Sequence, residues 1–105
     1  MSTQQNCCVL TGQIAEIEPV RRTPAGIPRQ RLWLEHRSRQ EEAGSPREVH
    51  ARLAVVLSGD DLIRVAATCA VGLQIRAEGF IARAGMKGEA RDRLQLHAQS
   101  LTRLD

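Results

Sequence analysis

Along most of the chain apolar residues recur at every second position, the period of a strand buried on one face. Residues 7–17 (CCVLTGQIAEI) set Leu10, Gly12 and Ile14 on one side, with Gly12 marking a bulge or sharp bend. Residues 19–28 contain Pro19, Pro24, Gly26 and Pro28 and predict a loop. In residues 29–38, Leu32, Leu34 and His36 alternate with Arg31, Trp33, Glu35 and Arg37. Residues 40–46 are polar, with Gly44 and Pro46 as breakers. Residues 48–57 then turn Val49, Ala51, Leu53, Val55 and Leu57 inward and His50, Arg52 and Ala54 outward.

After Ser58-Gly59 the period changes. Residues 60–68 place Leu62, Ile63, Ala66 and Ala67 at helical spacing, and Ser58 with Asp61 resembles a capping box. Val71-Gly72 ends this short helix, and strand alternation resumes over 73–82 with Leu73, Ile75, Ala77 and Ile81 on one side. Residues 83–93 hold Gly85, Gly88 and several cations and predict a basic loop, followed by a last strand over 94–101 with Leu94, Leu96 and Ala98 facing in. Five short strands with a helix between the third and fourth predict an all-β protein, a five-stranded OB-fold barrel whose helix plugs one end. An SH3-like barrel shares the strand count. Residues 1–6 are expected to be a flexible segment and 7–105 a single domain, a size that suits 105 residues.

Charge adds direction to this frame. The chain carries 15 basic against 12 acidic residues, and Lys87 is its only lysine. Arginine presents a planar fork that matches phosphate, although a GC-rich genome also favours arginine codons. The distribution says more than the total. Arg21, Arg22, Arg29, Arg31, Arg37 and Arg39 crowd one stretch against Glu35 alone, and Arg83, Lys87, Arg91 and Arg93 crowd another. In an OB-fold these fall on the ligand surface: Arg21 and Arg22 in the loop after the first strand, Trp33, Arg37, His50 and Arg52 on the outer faces of the second and third. Such a groove neutralises a nucleic-acid backbone while flat side chains stack on bases. Only Trp33 and Phe80 are aromatic. Trp33, among arginines, reads as a stacking platform, and Phe80 reads equally as a stacking ring or as barrel packing.

Other chemistry is excluded or weak. No segment approaches the roughly 20 apolar residues of a membrane span, and the polar N-terminus predicts no signal peptide, hence a soluble cytoplasmic chain. Cys7, Cys8 and Cys69 contain no CxxC and fit no zinc spacing; they read as small apolar residues rather than disulfides or metal ligands. Asp60 and Asp61 suit a helix N-terminus, and His36 and His97 read as hydrogen-bonded structural residues. No nucleophile set and no phosphate loop is present, so no cofactor and no enzyme activity are expected.

Specific runs then carry a resemblance. Gly26-Ile-Pro28, Leu34-Glu-His-Arg-Ser38, Gln40-Glu-Glu-Ala-Gly44, Leu57-Ser-Gly59, Val71-Gly72, Gly79-Phe-Ile81 and Leu96-His-Ala98 resemble, in the same order, the primosomal replication protein N (PriB) family. The likeness spans residues 9–104. It implies an OB-fold homodimer that binds single-stranded DNA and the PriA helicase, stimulates unwinding and helps recruit the primosome component DnaT. Arg37 matches a DNA-binding arginine of that family, Arg21 a basic position of the first loop, and Lys87 and Arg93 basic positions of the loop between the last two strands. Ser45 and His50 stand where enterobacterial members carry aromatic rings, and Trp33 stands at an aliphatic position of theirs. By the same resemblance the first strand, through Cys8, Val9, Leu10, Thr11 and Ile14, is expected to pair with a second copy. A general single-strand coating protein and a protein-interaction OB module with little DNA binding remain as alternatives.

Overall fold

Ladders built from the alternating segments close on themselves in the computed structural model, which describes residues 4–84 and 93–105. Five long strands, β1 (Cys8–Ile17), β3 (Pro28–Glu42), β4 (Ser45–Ser58), β5 (Gln74–Arg83) and β6 (Leu94–Arg103), are joined by the two-residue β2 (Arg21–Arg22) and one helix, α1 (Asp60–Ala66). Neighbours run β1-β5-β6-β4-β3, and β3 returns to β1, which closes the barrel; β2 extends the β3 side. Every pairing is antiparallel except β4 with β6, which touch in parallel at Val55–Leu96 and Val56–His97. This is the OB-fold barrel.

The core follows from the alternation. Ile14, Leu32, Leu34, Val55, Leu57, Ile75 and Leu96 are fully buried, each contributing about 1.5–3 kcal/mol. Helix α1 packs Leu62, Ile63, Val65 and the buried Ala66 against this cluster. With seven residues it is too short to stand alone, so packing holds it. Its leading residue is Gly59, and no side chain caps it. The expected Ser58–Asp61 capping box is therefore absent: Ser58 Oγ instead accepts a hydrogen bond from Arg29 Nε, 3.2 Å away.

Three further expectations change. First, residues 40–46 are not a loop. β3 and β4 stay paired to Glu42–Ser45 around the two-residue turn Ala43-Gly44, whose φ values of 53° and 79° are those of a type I′ hairpin. In such a hairpin the pair beside the turn exchanges the hydrogen bonds, so Pro46, in the next pair, loses no ladder bond. Second, the proline-rich stretch contains β2, where Arg21 faces Arg29 and Arg22 faces Pro28. Third, Leu94 is exposed rather than inward, whereas Ala54 and Val56, on the outer side of β4, are buried. Their cross-strand neighbours Trp33 and Arg31 lie beside them, and the long stems of these side chains cover small residues well.

Gly12 is not a bulge; it pairs regularly with Ile75. A Cβ there would sit 2.6 Å from the carbonyl oxygen of Glu35, so β1 and β3 approach as closely as they do only because the side chain is missing. The irregularity lies further on, between Ile14 and Glu16, within the stretch where β1 pairs with β3. Ahead of β1, the Asn6 side chain takes the place of a strand residue, donating to the Ile81 carbonyl at 2.7 Å and accepting from its N–H at 2.9 Å. Replacing Gly12→Ala should cost about 1–3 kcal/mol by forcing backbone apart. Urea unfolding checks this, and an unchanged midpoint would show that β3 yields freely.

Candidate nucleic-acid interface

Cross-strand partners share a face, so the register fixes what stands on the outer side of the barrel. On β3 these are Arg29, Arg31 and Trp33, opposite Ser58, Val56 and Ala54 of β4. Two recesses open over them. One is lined by residues including Arg21, Arg29, Arg31 and Gln95, and the other, of about 500 Å³, by Arg31, Trp33, Arg52, Ala54, Arg93 and Leu94 among others. They share Arg31, Ala84 and Gln95 as walls and so form one groove. Five arginines from β2, β3, β4 and the segment ahead of β6 thus face one channel with an apolar floor.

A carboxylate network organises half of it. Glu18 Oε2 accepts from Arg31 Nε at 2.8 Å and from Trp33 Nε1 at 2.7 Å. Arg52 donates to Glu35 at 2.9 Å and to Glu16 at 3.2 Å. Both guanidinium groups lie over the Trp33 ring, Arg31 at 5.3 Å and Arg52 at 5.2 Å from its centroid. These are cation–π contacts, so the indole is already engaged and is not a bare platform. In the other half Glu18 lines the same recess as Arg21 and Arg29 and feels the Arg21 charge, but it forms no ion pair with either. Arg21 and Arg29 face each other across the β2–β3 pair, which is repulsive, and neither has an ion-pair partner among the described residues. Next to Arg29 stands His97, stacked on Phe80 with centroids 5.2 Å apart and planes 4° from parallel. Burial, helped by the Arg29 charge, lowers the His97 pKa from its ordinary 6.5 and keeps the ring neutral.

Of the residues singled out in the sequence, Arg21, Trp33, Arg52 and Arg93 meet in the groove. Phe80 lies on the adjoining outer face, paired with His97. The others do not join them. Arg22 Nη1 donates to Gly26 O, at 2.8 Å, within its own turn. Arg37 and His50 are cross-strand partners out along the β3–β4 ribbon, and Arg37 lines a separate small recess with Thr11, Gln13 and Gln74. Arg83 is exposed opposite Leu94 and does not line the groove. Lys87 and Arg91 lie outside the described residues. Arg29 and Arg31, noted in the sequence only as members of the arginine cluster, join the groove, as do Glu18 and Gln95. For the two arginines a signal existed, since both share the parity of Trp33; for Glu18, 15 residues from Trp33, none did. Of the residues expected between two copies, Ile14 is 1% exposed within this barrel and cannot line an interface. Leu10 and Cys8 pack against the core, while Val9 and Thr11 are exposed.

This fold and channel define a class, and the chain belongs to it: residues 6–100 match the model of a single-strand binding protein family, described as another such family. Within that class it is a member of the PriB replication restart proteins. It is 38% identical over 102 residues to replication restart protein PriB of Yersinia pestis, covering 95% of this chain and 93% of that one. The PriB of Actinobacillus pleuropneumoniae serotype 5b (strain L20) is 36% identical over 76 residues, and the match spans 61% of that protein's length and 72% of this chain. Among solved structures, the PriB protein of Ralstonia solanacearum superposes with a TM-score of 0.83 at 26% identity, covering 95% of this chain and 98% of that one. The single-stranded DNA binding protein of Thermus aquaticus superposes with a TM-score of 0.76 at 26% identity, over 96% of this chain and 50% of that one.

The Glu18 network makes stability depend on pH. Its bond to Arg31, outweighing partial burial and aided by Trp33, holds the Glu18 pKa below its ordinary 4.5. A carboxyl favoured as carboxylate by folding stabilises fully above that ordinary value, and the contribution is lost as pH falls through the lowered one. Urea unfolding monitored between neutral and strongly acidic pH should show this loss. Glu18→Gln should remove it and cost about 1–2 kcal/mol at neutral pH; an equal acid slope in both proteins would exclude Glu18 as its source.

Proposed function

We propose that this protein binds single-stranded DNA along the arginine groove and acts as an accessory factor in replication restart. The observation that supports this most directly is the Arg21–Arg29 pair. Two guanidinium groups face each other across a strand pair, neither in an ion pair among the described residues although Glu18 lines the same recess, at one end of a channel floored by Val56 and Ala54. Such an arrangement is unfavourable until an anion bridges it. An unpaired polynucleotide supplies both a phosphate for the arginines and bases for the floor. A duplex would offer its bases only in a groove, and no helix here could enter one.

In this reading the protein holds the unwound strand while another surface engages the PriA helicase, stimulates unwinding and helps bring in DnaT. Support for that part is membership of the PriB family, whose named members are replication restart proteins. The protein works as a homodimer. β1 pairs with β5 from Cys8 and with β3 only from Gln13, leaving the other side of its first residues without a strand neighbour among the described residues. Val9, half exposed there, is the natural contact. The His36 ring already binds the Thr11 carbonyl at 2.7 Å, so pairing centres ahead of Thr11.

Fluorescence anisotropy with labelled oligo-dT tests the central claim. Binding should be strongly salt-dependent, and Arg29→Ala should weaken it several-fold and flatten the slope of log K against log salt by about 0.7, one phosphate contact. Absence of binding at low salt would instead favour a protein-interaction module, a reading to which the engaged Trp33 ring lends some weight. Adding the protein to a PriA unwinding assay, with Arg29→Ala beside it, tests the second claim. Sedimentation equilibrium tests the third: the expected mass is twice 11.6 kDa, and Val9→Asp should return the monomer.

A further inference from the structure

The five groove arginines are held in two different ways. Arg31 and Arg52 each have a carboxylate at the guanidinium edge, Glu18 for the first and Glu16 with Glu35 for the second. Both lie over the Trp33 ring, yet their side chains are still 40% and 44% exposed. Arg21, Arg29 and Arg93 have no carboxylate partner among the described residues. Each of the first two guanidinium groups spends edge donors on carboxylates, Arg31 its Nε and Arg52 both terminal nitrogens, so part of its charge is answered and an arriving phosphate competes with an anion already bound. Held by an acid and by the indole, such a group is restrained in place, and a guanidinium plane is a surface on which a base can stack. The other three, with no carboxylate bond among the described residues, keep most of their edge donors for a phosphate, Arg29 giving only its Nε to Ser58 Oγ.

Resting on the groove's reading as a single-strand site, we propose that its arginines divide the polynucleotide between them. Arg21, Arg29 and Arg93 hold phosphates; Arg31 and Arg52, neutralised by Glu16, Glu18 and Glu35, present flat faces on which bases stack. The three glutamates are positioning residues: they touch no DNA, and they convert two phosphate binders into base platforms. Two consequences are measurable. Only phosphate contacts release counterions, so three such arginines set a salt slope of about −2. Among the groove arginines, only Arg31 and Arg52 can tell a strand with bases from one without.

The test compares labelled oligo-dT with an abasic strand of the same length, by anisotropy titration over a range of salt. Arg52→Ala should weaken oligo-dT binding about tenfold, the scale of one lost stack. It should leave the abasic strand within twofold and the slope unchanged. Arg29→Ala should weaken both strands alike and flatten the slope by about 0.7. The double variant Glu16→Gln with Glu35→Gln frees the Arg52 edge and should steepen the slope by about the same amount. Circular dichroism confirms that each variant is folded, and the double variant carries the test if Arg52→Ala is not. Arg52→Ala acting on both strands and flattening the slope, or the double variant leaving the slope unmoved, overturns the division of labour while single-strand binding stands. A wild-type protein that binds neither strand overturns the single-strand reading itself, and the division falls with it.

Discussion

The structure depends on one strand serving two neighbours. β1 pairs with β5 from Cys8 to Gln13 and with β3 from Gln13 to Ile17, changing partner at Gln13 just ahead of the irregularity between Ile14 and Glu16. Without that change the sheet would stay open, with β1 and β3 as its edges. Closure brings β3 across the barrel and sets Arg29, Arg31 and Trp33 on its outer face. It also carries the end of β1 under that face, so Glu16 and Glu18 arrive beside Arg52 and Arg31. Two of the acids that organise the groove, Glu16 and Glu18, are therefore supplied by the end of the strand that seals the core and the residues just after it, while Glu35 comes from β3 itself.

The electrostatics of the groove are graded rather than uniform. At one end carboxylates answer the guanidinium groups and an indole fixes their planes; at the other Arg21 and Arg29 repel each other. Exposed ion pairs contribute little to stability by themselves, typically about 0–1 kcal/mol. Their importance here is geometric, because each restricts a long flexible side chain to one orientation. The Glu18 pairs are the best protected of these, and only Glu18 among the described acids shows a resolved shift.

Most of the barrel was legible in the alternation. Leu32 with Leu34, Ile75 with Ala77, and Leu96 with Ala98 face inward as their spacing predicts, because burial on one face of a strand admits no other period. What was lost had physical reasons. Gly44 and Pro46 read as breakers, yet a two-residue turn followed by a non-bonded pair lets both lie in a continuous ribbon. Gly12 reads locally as a bend, but its reason is the Glu35 carbonyl 23 positions away in sequence. Leu94 looked inward by parity and is not, lying past the end of the barrel core. In the site, the outward set on β3 could be read from parity, whereas the attachment of Trp33 to Glu18 joins two strands whose register no local pattern encodes.

The Asn6 amide has a consequence for how the chain behaves at high concentration. By filling the place beside Ile81 it occupies a backbone donor and acceptor that β5 would otherwise turn outward beyond the start of β1. A polypeptide trimmed to Cys8 would uncover that edge while leaving every core residue in place. Its melting would hardly change, but its solubility at high concentration would suffer, since an open strand edge recruits other strands. A single amide that looks dispensable thus acts as a guard against self-association.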